Sequence, residues 1–73
     1  MSQEITHELL DQFLGKEVYA DFNTFDVFHA KLTKPSKYLL SFRNGYFPPL
    51  EFELKDVAWG VVENSTLVIS IRG

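Results

Sequence analysis

Residues 37–55, KYLLSFRNGYFPPLEFELK, decide how the rest of the chain is read. Asn44-Gly45 at their centre is the dipeptide that best tolerates positive φ at both middle positions of a type I′ turn, and apolar residues flank it on both sides. This predicts a β-hairpin. Leu50, Phe52 and Leu54 alternate with Glu51, Glu53 and Lys55, giving the returning arm one apolar and one charged face. Tyr38, Leu40 and Phe42 share a face on the outgoing arm. Pro48-Pro49 cannot donate ladder hydrogen bonds, so pairing just after the turn is broken or lies at an edge.

Upstream, residues 3 to 14 read as a helix. Ile5, Leu9 and Phe13 recur every four residues, Leu10 and Leu14 widen the stripe, Ser2 is placed to cap the start, and Gly15 is placed to stop the end. Lys16 to Asn23 alternates as a strand with Val18, Ala20 and Phe22 on one side. Residues 23–26 form a polar turn. Val27 to Thr33 follows as a strand, with Phe28, Ala30 and Leu32 on one face and Val27, His29 and Lys31 on the other. Lys34-Pro35-Ser36-Lys37 is a basic turn. Downstream, Val57 to Val62 is nearly continuous apolar sequence, as in a strand covered on both faces or buried against another subunit. Glu63-Asn64-Ser65 turns, and Leu67, Ile69 and Ile71 mark a last strand. The fold class is therefore mainly β: one N-terminal helix and five or six short antiparallel strands in a meander or small barrel.

The 73 residues make a single domain, with a helix over about 3–14 and a barrel over about 16–72. A core this small is marginal, and 45% hydrophobic content with eleven aromatics supplies material for a subunit interface, so a homo-oligomer is expected. The chain has no cysteine, which excludes disulfides and thiolate metal sites. No membrane span or signal peptide is read, so the expected location is cytoplasmic. Net charge is −3, against non-specific coating of nucleic acid. Acids dominate residues 1–30, where only Lys16 is basic. Bases outnumber acids in residues 31–73, so an anionic ligand should meet that part.

The pattern resembles the Sm-like family, which includes Sm, Lsm and Hfq proteins. Leu14-Gly15-Lys16-Glu17-Val18 resembles the opening of the first family motif, and Ala30-Lys31-Leu32 stands where the family has glycine, any residue and an aliphatic. Tyr38 matches the motif's aromatic, whereas Ser36 and Leu40 replace its aspartate and asparagine. Leu54-Lys55-Asp56 stands at the second motif, with Lys55 matching and Asp56 departing. Ile71-Arg72-Gly73 offers a rival register at the end of the chain. The resemblance implies a strongly bent five-stranded barrel assembled as a hexameric or heptameric ring that binds single-stranded RNA; the family pattern does not account for the extra strand at Thr66 to Arg72. It implies that Tyr38 stacks on a base and that Lys55 reaches a base edge or phosphate. Lys31, Lys34 and Lys37 close to Tyr38 support this, because a base platform beside cations suits single-stranded RNA.

No catalytic residue, metal site or cofactor is predicted. His7 and His29 lie on different elements, Asp26 and His29 fall on opposite strand faces, and no phosphate-binding glycine loop occurs. The alternative is a non-catalytic structural or protein-binding barrel, in which Tyr46, Phe47, Pro48 and Pro49 form a rigid apolar protrusion and Trp59 faces a neighbour.

Overall fold

The computed structural model describes residues 4–22 and 27–72. It is mainly β, a six-stranded, strongly curled sheet with one small helix among the described residues. The elements are α1 (His7–Asp11), β1 (Glu17–Asp21), β2 (Val27–Thr33), β3 (Tyr38–Phe42), β4 (Leu50–Phe52), a 3-10 turn (Leu54–Asp56), β5 (Val57–Glu63) and β6 (Thr66–Ile71).

The helix is shorter than the periodicity predicts. Thr6 is its N-cap, with Oγ1 accepting from the Leu9 amide at 3.1 Å, so the helix proper begins at His7. After Asp11 the chain tightens into three-residue bonds, Phe13 N to Leu10 O and Lys16 N to Phe13 O. Gly15, at φ +81°, then turns the backbone out, and its amide bonds Leu32 O at 2.6 Å. One and a half turns suffice to deliver Leu10 and Phe13 to the core. The expected cap Ser2 and the turn at 23–26 lie outside the described residues.

β1 and β2 form the predicted antiparallel pair, with Val18 opposite Ala30 and Ala20 opposite Phe28. Along β2, Ala30 and Leu32 are buried while Val27, His29 and Lys31 are exposed, as the alternation requires. β3 pairs with β2 on one side and with β4 on the other, where Tyr38 faces Phe52 and Leu40 faces Leu50. The central hairpin therefore exists, but its connection is the seven-residue segment 43–49 rather than a two-residue turn. Gly45 has positive φ and Asn44 does not. Asn44 instead uses Oδ1 to accept from the amides of Tyr46, at 2.9 Å, and Phe47, at 3.4 Å. Pro48 and Pro49 have no amide hydrogen to give, so the ladder starts at Leu50.

The tight primed turn lies instead at Asn64-Ser65, with φ of 50° and 64° and Glu63 facing Thr66 across it. A serine at this second position carries a Cβ in left-handed backbone, which costs on the order of 1 kcal/mol. Ser65→Gly is expected to raise stability by about 0.5–1 kcal/mol, partly offset by the greater freedom of glycine in the unfolded chain, read as a higher urea midpoint at constant m.

The last strand is not an appendage to a five-stranded barrel. β6 lies between β1, which it pairs in parallel, and β5, which it pairs antiparallel, so the order across the sheet is β4-β3-β2-β1-β6-β5. Leu67, Ile69, Ser70 and Ile71 are all buried as a result. A register shift between Val57 and Trp59 breaks the alternation of β5, leaving Ala58 and Trp59 both exposed and Gly60 buried. The apolar run 57–62 thus has an uncovered outer side in the single chain. The core inside the curl is led by Leu10, Val18, Leu32, Leu40, Leu67 and Ile69, each essentially without solvent contact. No helix among the described residues is long and apolar enough to cross a membrane.

Candidate functional site

Tyr38 belongs to the interior. Only 2% of it is exposed, because the alternation that buries Leu40 puts Tyr38 on the same inward face of β3. Its ring stacks on Phe52, with centroids 5.6 Å apart, and lies 5.9 Å from the His7 ring, while Lys34 Nζ sits 4.6 Å from its centroid. The hydroxyl donates to Asp11 Oδ1 at 2.9 Å and meets His7 Nδ1 at 3.2 Å. A hydroxyl that gives its proton to Asp11 accepts from His7, which places a proton on Nδ1. Tyr38 is therefore a clamp holding α1 to the sheet, and the base-stacking role implied for it has no free ring face in the folded chain.

Burial, reinforced by the hydrogen bond and charge of Asp11, pushes the Tyr38 hydroxyl up to about 12 from an ordinary value of 10.0. A raised folded value means that this contribution is intact below about pH 10 and is lost as pH climbs from there through about 12. Tyr38→Phe is expected to remove that alkaline component of the unfolding curve, measured by circular dichroism against pH.

The predicted cations are solvated. The Tyr38–Phe52 pairing brings Lys34 and Lys37, from the β2–β3 turn, to the same end of the β3–β4 ladder as Lys55. Lys55 is highly exposed and reaches Glu53 Oε2 at 3.4 Å. Lys31 stands apart on the outer face of β2, opposite Glu17 and Ser41 in register. Asp56, the departure from the second motif, serves the local backbone, where its Oδ2 accepts from the Glu53 amide at 2.9 Å and closes the 3-10 turn.

At the other end of that ladder is a feature that site prediction from the sequence missed. Phe22, Phe28 and Phe42 sit at adjoining ends of three neighbouring strands, and segment 43–49 folds Phe47 back over them. Phe47 meets Phe28 edge-on at 4.9 Å and Phe42 at 5.6 Å; Phe22 lies 5.9 Å from Phe28 and 5.6 Å from Phe42. With Pro48, Pro49 and Leu50 these rings line an open groove of about 450 Å³ that is almost wholly apolar. Tyr46 projects beside it, 87% exposed. The signal was present in the alternation, since Phe22 and Phe42 close, and Phe28 opens, the inward-facing series of their strands.

The groove adjoins a polar hollow lined by Val27, Phe28, His29, Arg43 and Asn44. There Glu17 accepts from His29 Nδ1 at 2.9 Å and pairs with Arg43 Nη1 at 3.2 Å, and Tyr19 packs on the His29 ring at 4.6 Å. The His29 hydrogen bond chiefly holds the Glu17 carboxyl below its ordinary range, aided by the charges of Arg43 and His29 and opposed by desolvation. Among the described residues no group of three His, Asp or Glu could hold a metal ion; Asp26 lies outside them. Comparison with family models, with curated proteins and with solved structures finds no significant match to the chain.

Proposed function

We propose that the chain is a non-catalytic binding module that takes an apolar segment of a protein partner in the phenylalanine groove. The observation that carries this reading is the concentration of Phe22, Phe28, Phe42 and Phe47 in one solvent-open groove beside the rigid Pro48-Pro49 wall. A small chain stabilises itself by closing its aromatics into the core, and this one buries Tyr38 and Phe52 while leaving these four around open space. Apolar walls with a few polar groups at one side are the usual make-up of a binding cleft.

Selection of a displayed random peptide library against the folded chain tests it. Apolar peptides are expected to be enriched, and Phe47→Ala, which removes an exposed wall with little cost to the core, is expected to weaken their binding at least ~10-fold, as truncating a hot-spot aromatic does. Enrichment that ignores Phe47→Ala would defeat the reading.

A second reading is the Sm-like one: a barrel that assembles as a homo-oligomeric ring and binds single-stranded RNA. The exposed Lys34, Lys37 and Lys55 at one end of the β3–β4 ladder favour it, with Lys31 apart on β2 and without Tyr38 as the platform. It predicts that labelled oligo-U binds a hexamer or heptamer and that affinity falls as salt rises. Retention of oligo-U binding by a chain with all four lysines changed to glutamine would remove it.

A further inference from the structure

The chemistry of the groove narrows the kind of partner segment it can take. We propose that the occupant is an amphipathic α-helix, with its apolar stripe in the phenylalanine groove and a flanking carboxylate on the open edge of Arg43. The proposal rests on the groove being the binding surface.

Two observations carry it. The first is the lining: four phenylalanine rings, two prolines and a leucine offer almost no hydrogen-bonding atoms. An extended or polyproline peptide laid across the rings would bring backbone N–H and C=O groups out of water with only the short edge of β4, at one side, to meet them. A helix has satisfied those groups within itself and presents only side chains, at spacings of three and four residues. A groove of about 450 Å³ accommodates a few such side chains.

The second observation is the charge beside it. Arg43 is 70% exposed, and both of its contacts with Glu17 use Nη1, at 3.3 and 3.2 Å. Among the described residues Nε and Nη2 have no partner. Those two donors form one edge of the guanidinium, and a parallel pair of N–H groups on that edge suits a carboxylate. Phe28 lines both the groove and the hollow that contains Arg43, so an apolar ligand in one carries its flank to the other. A glutamate or aspartate one helical turn from the apolar stripe completes the match, whereas a lysine there would face Arg43 with like charge.

The test uses the full chain and three fluorescent synthetic peptides of ~16 residues, long enough to hold a helix once bound. One has leucines along a single helical face and flanking glutamates; the second has lysines in place of the glutamates; the third has a proline at its centre. Anisotropy is expected to rank the glutamate peptide tightest, the lysine peptide ~10-fold weaker and the proline peptide weaker still. Arg43→Gln, which sets no second carboxylate against Glu17, should remove the difference between the first two. Equal binding of the proline and glutamate peptides, both sensitive to Phe47→Ala, overturns the helix while the groove reading stands. Equal binding of the glutamate and lysine peptides overturns the role of Arg43. Binding of none of the three, with decanoate alone shifting the groove resonances, assigns the groove to a small apolar acid and overturns both readings. A groove closed by a second copy of the chain, seen as a doubled mass in light scattering that Phe47→Ala halves, also overturns the proposal.

Discussion

Tyr38→Ala is expected to destabilise the chain by about 3–5 kcal/mol, the usual cost of truncating a buried aromatic. Set against a total stability on the order of 4–11 kcal/mol for a domain of this size, that removes from roughly a quarter to all of it. The change removes the ring that packs between Phe52, His7 and Lys34, and it removes the hydroxyl that ties Asp11 to the sheet. Both losses act on α1, which is too short to persist without its packing face. Urea denaturation followed by far-ultraviolet circular dichroism measures the effect. A Tyr38→Ala chain of unchanged stability would show that the clamp is not needed, and loss of oligo-U binding in that same stable variant would return Tyr38 to the role of a base platform.

Ile69→Ala is expected to cost about 2–5 kcal/mol, as large-to-small changes do in a closed core. Ile69 is fully buried on β6, opposite Ala20 in the parallel ladder and Gly60 in the antiparallel one. Its neighbours in register are an alanine and a glycine, so of the side chains around it only Ile5, which lies over Gly60, is placed to relax into the space. The loss also weakens the strand that joins the two halves of the sheet, and β5 is expected to lose amide protection first in hydrogen exchange. A cost below about 1 kcal/mol would mean that the site collapses more readily than its packing implies.

The fold was legible in the sequence wherever one face of a strand meets water. The alternation of Val27 to Thr33 gives the inward and outward sides of β2 correctly, and that of Tyr38, Leu40 and Phe42 gives those of β3. That second series already buried Tyr38; the resemblance to an RNA-binding motif pointed the other way, and packing prevailed. Asn44-Gly45 marked a hairpin but not its turn, because the prolines at 48 and 49 forbid the ladder from starting before Leu50 and the Asn44 side chain organises a wider loop. The location of β6 was hidden because its parallel pairing with β1 joins residues some fifty positions apart, and no local pattern records that contact. The bulge near Ala58 was hidden for a related reason: in an apolar run such as Val57-Ala58-Trp59 the extra residue has no polar neighbour to betray it.

The candidate site was legible in pieces. Phe22, Phe28 and Phe42 each appeared as the end of an apolar series, and Phe47 to Pro49 appeared as a protrusion. Their convergence needed the antiparallel register of β1, β2 and β3, which sets the three ring-bearing ends side by side. Arg43 and Glu17 are twenty-six residues apart, and only that register makes them a pair.

Whether the phenylalanine groove is where this chain binds can be read residue by residue from two-dimensional amide NMR of the labelled chain, titrated in parallel with the glutamate-flanked helical peptide and with oligo-U. Shifts are expected at residue 22, residues 27–29, residues 42–47 and residue 50 with the peptide, and none there with the oligonucleotide. Shifts confined to residues 31–37 and 53–56, driven by oligo-U and not by the peptide, would contradict binding at the groove.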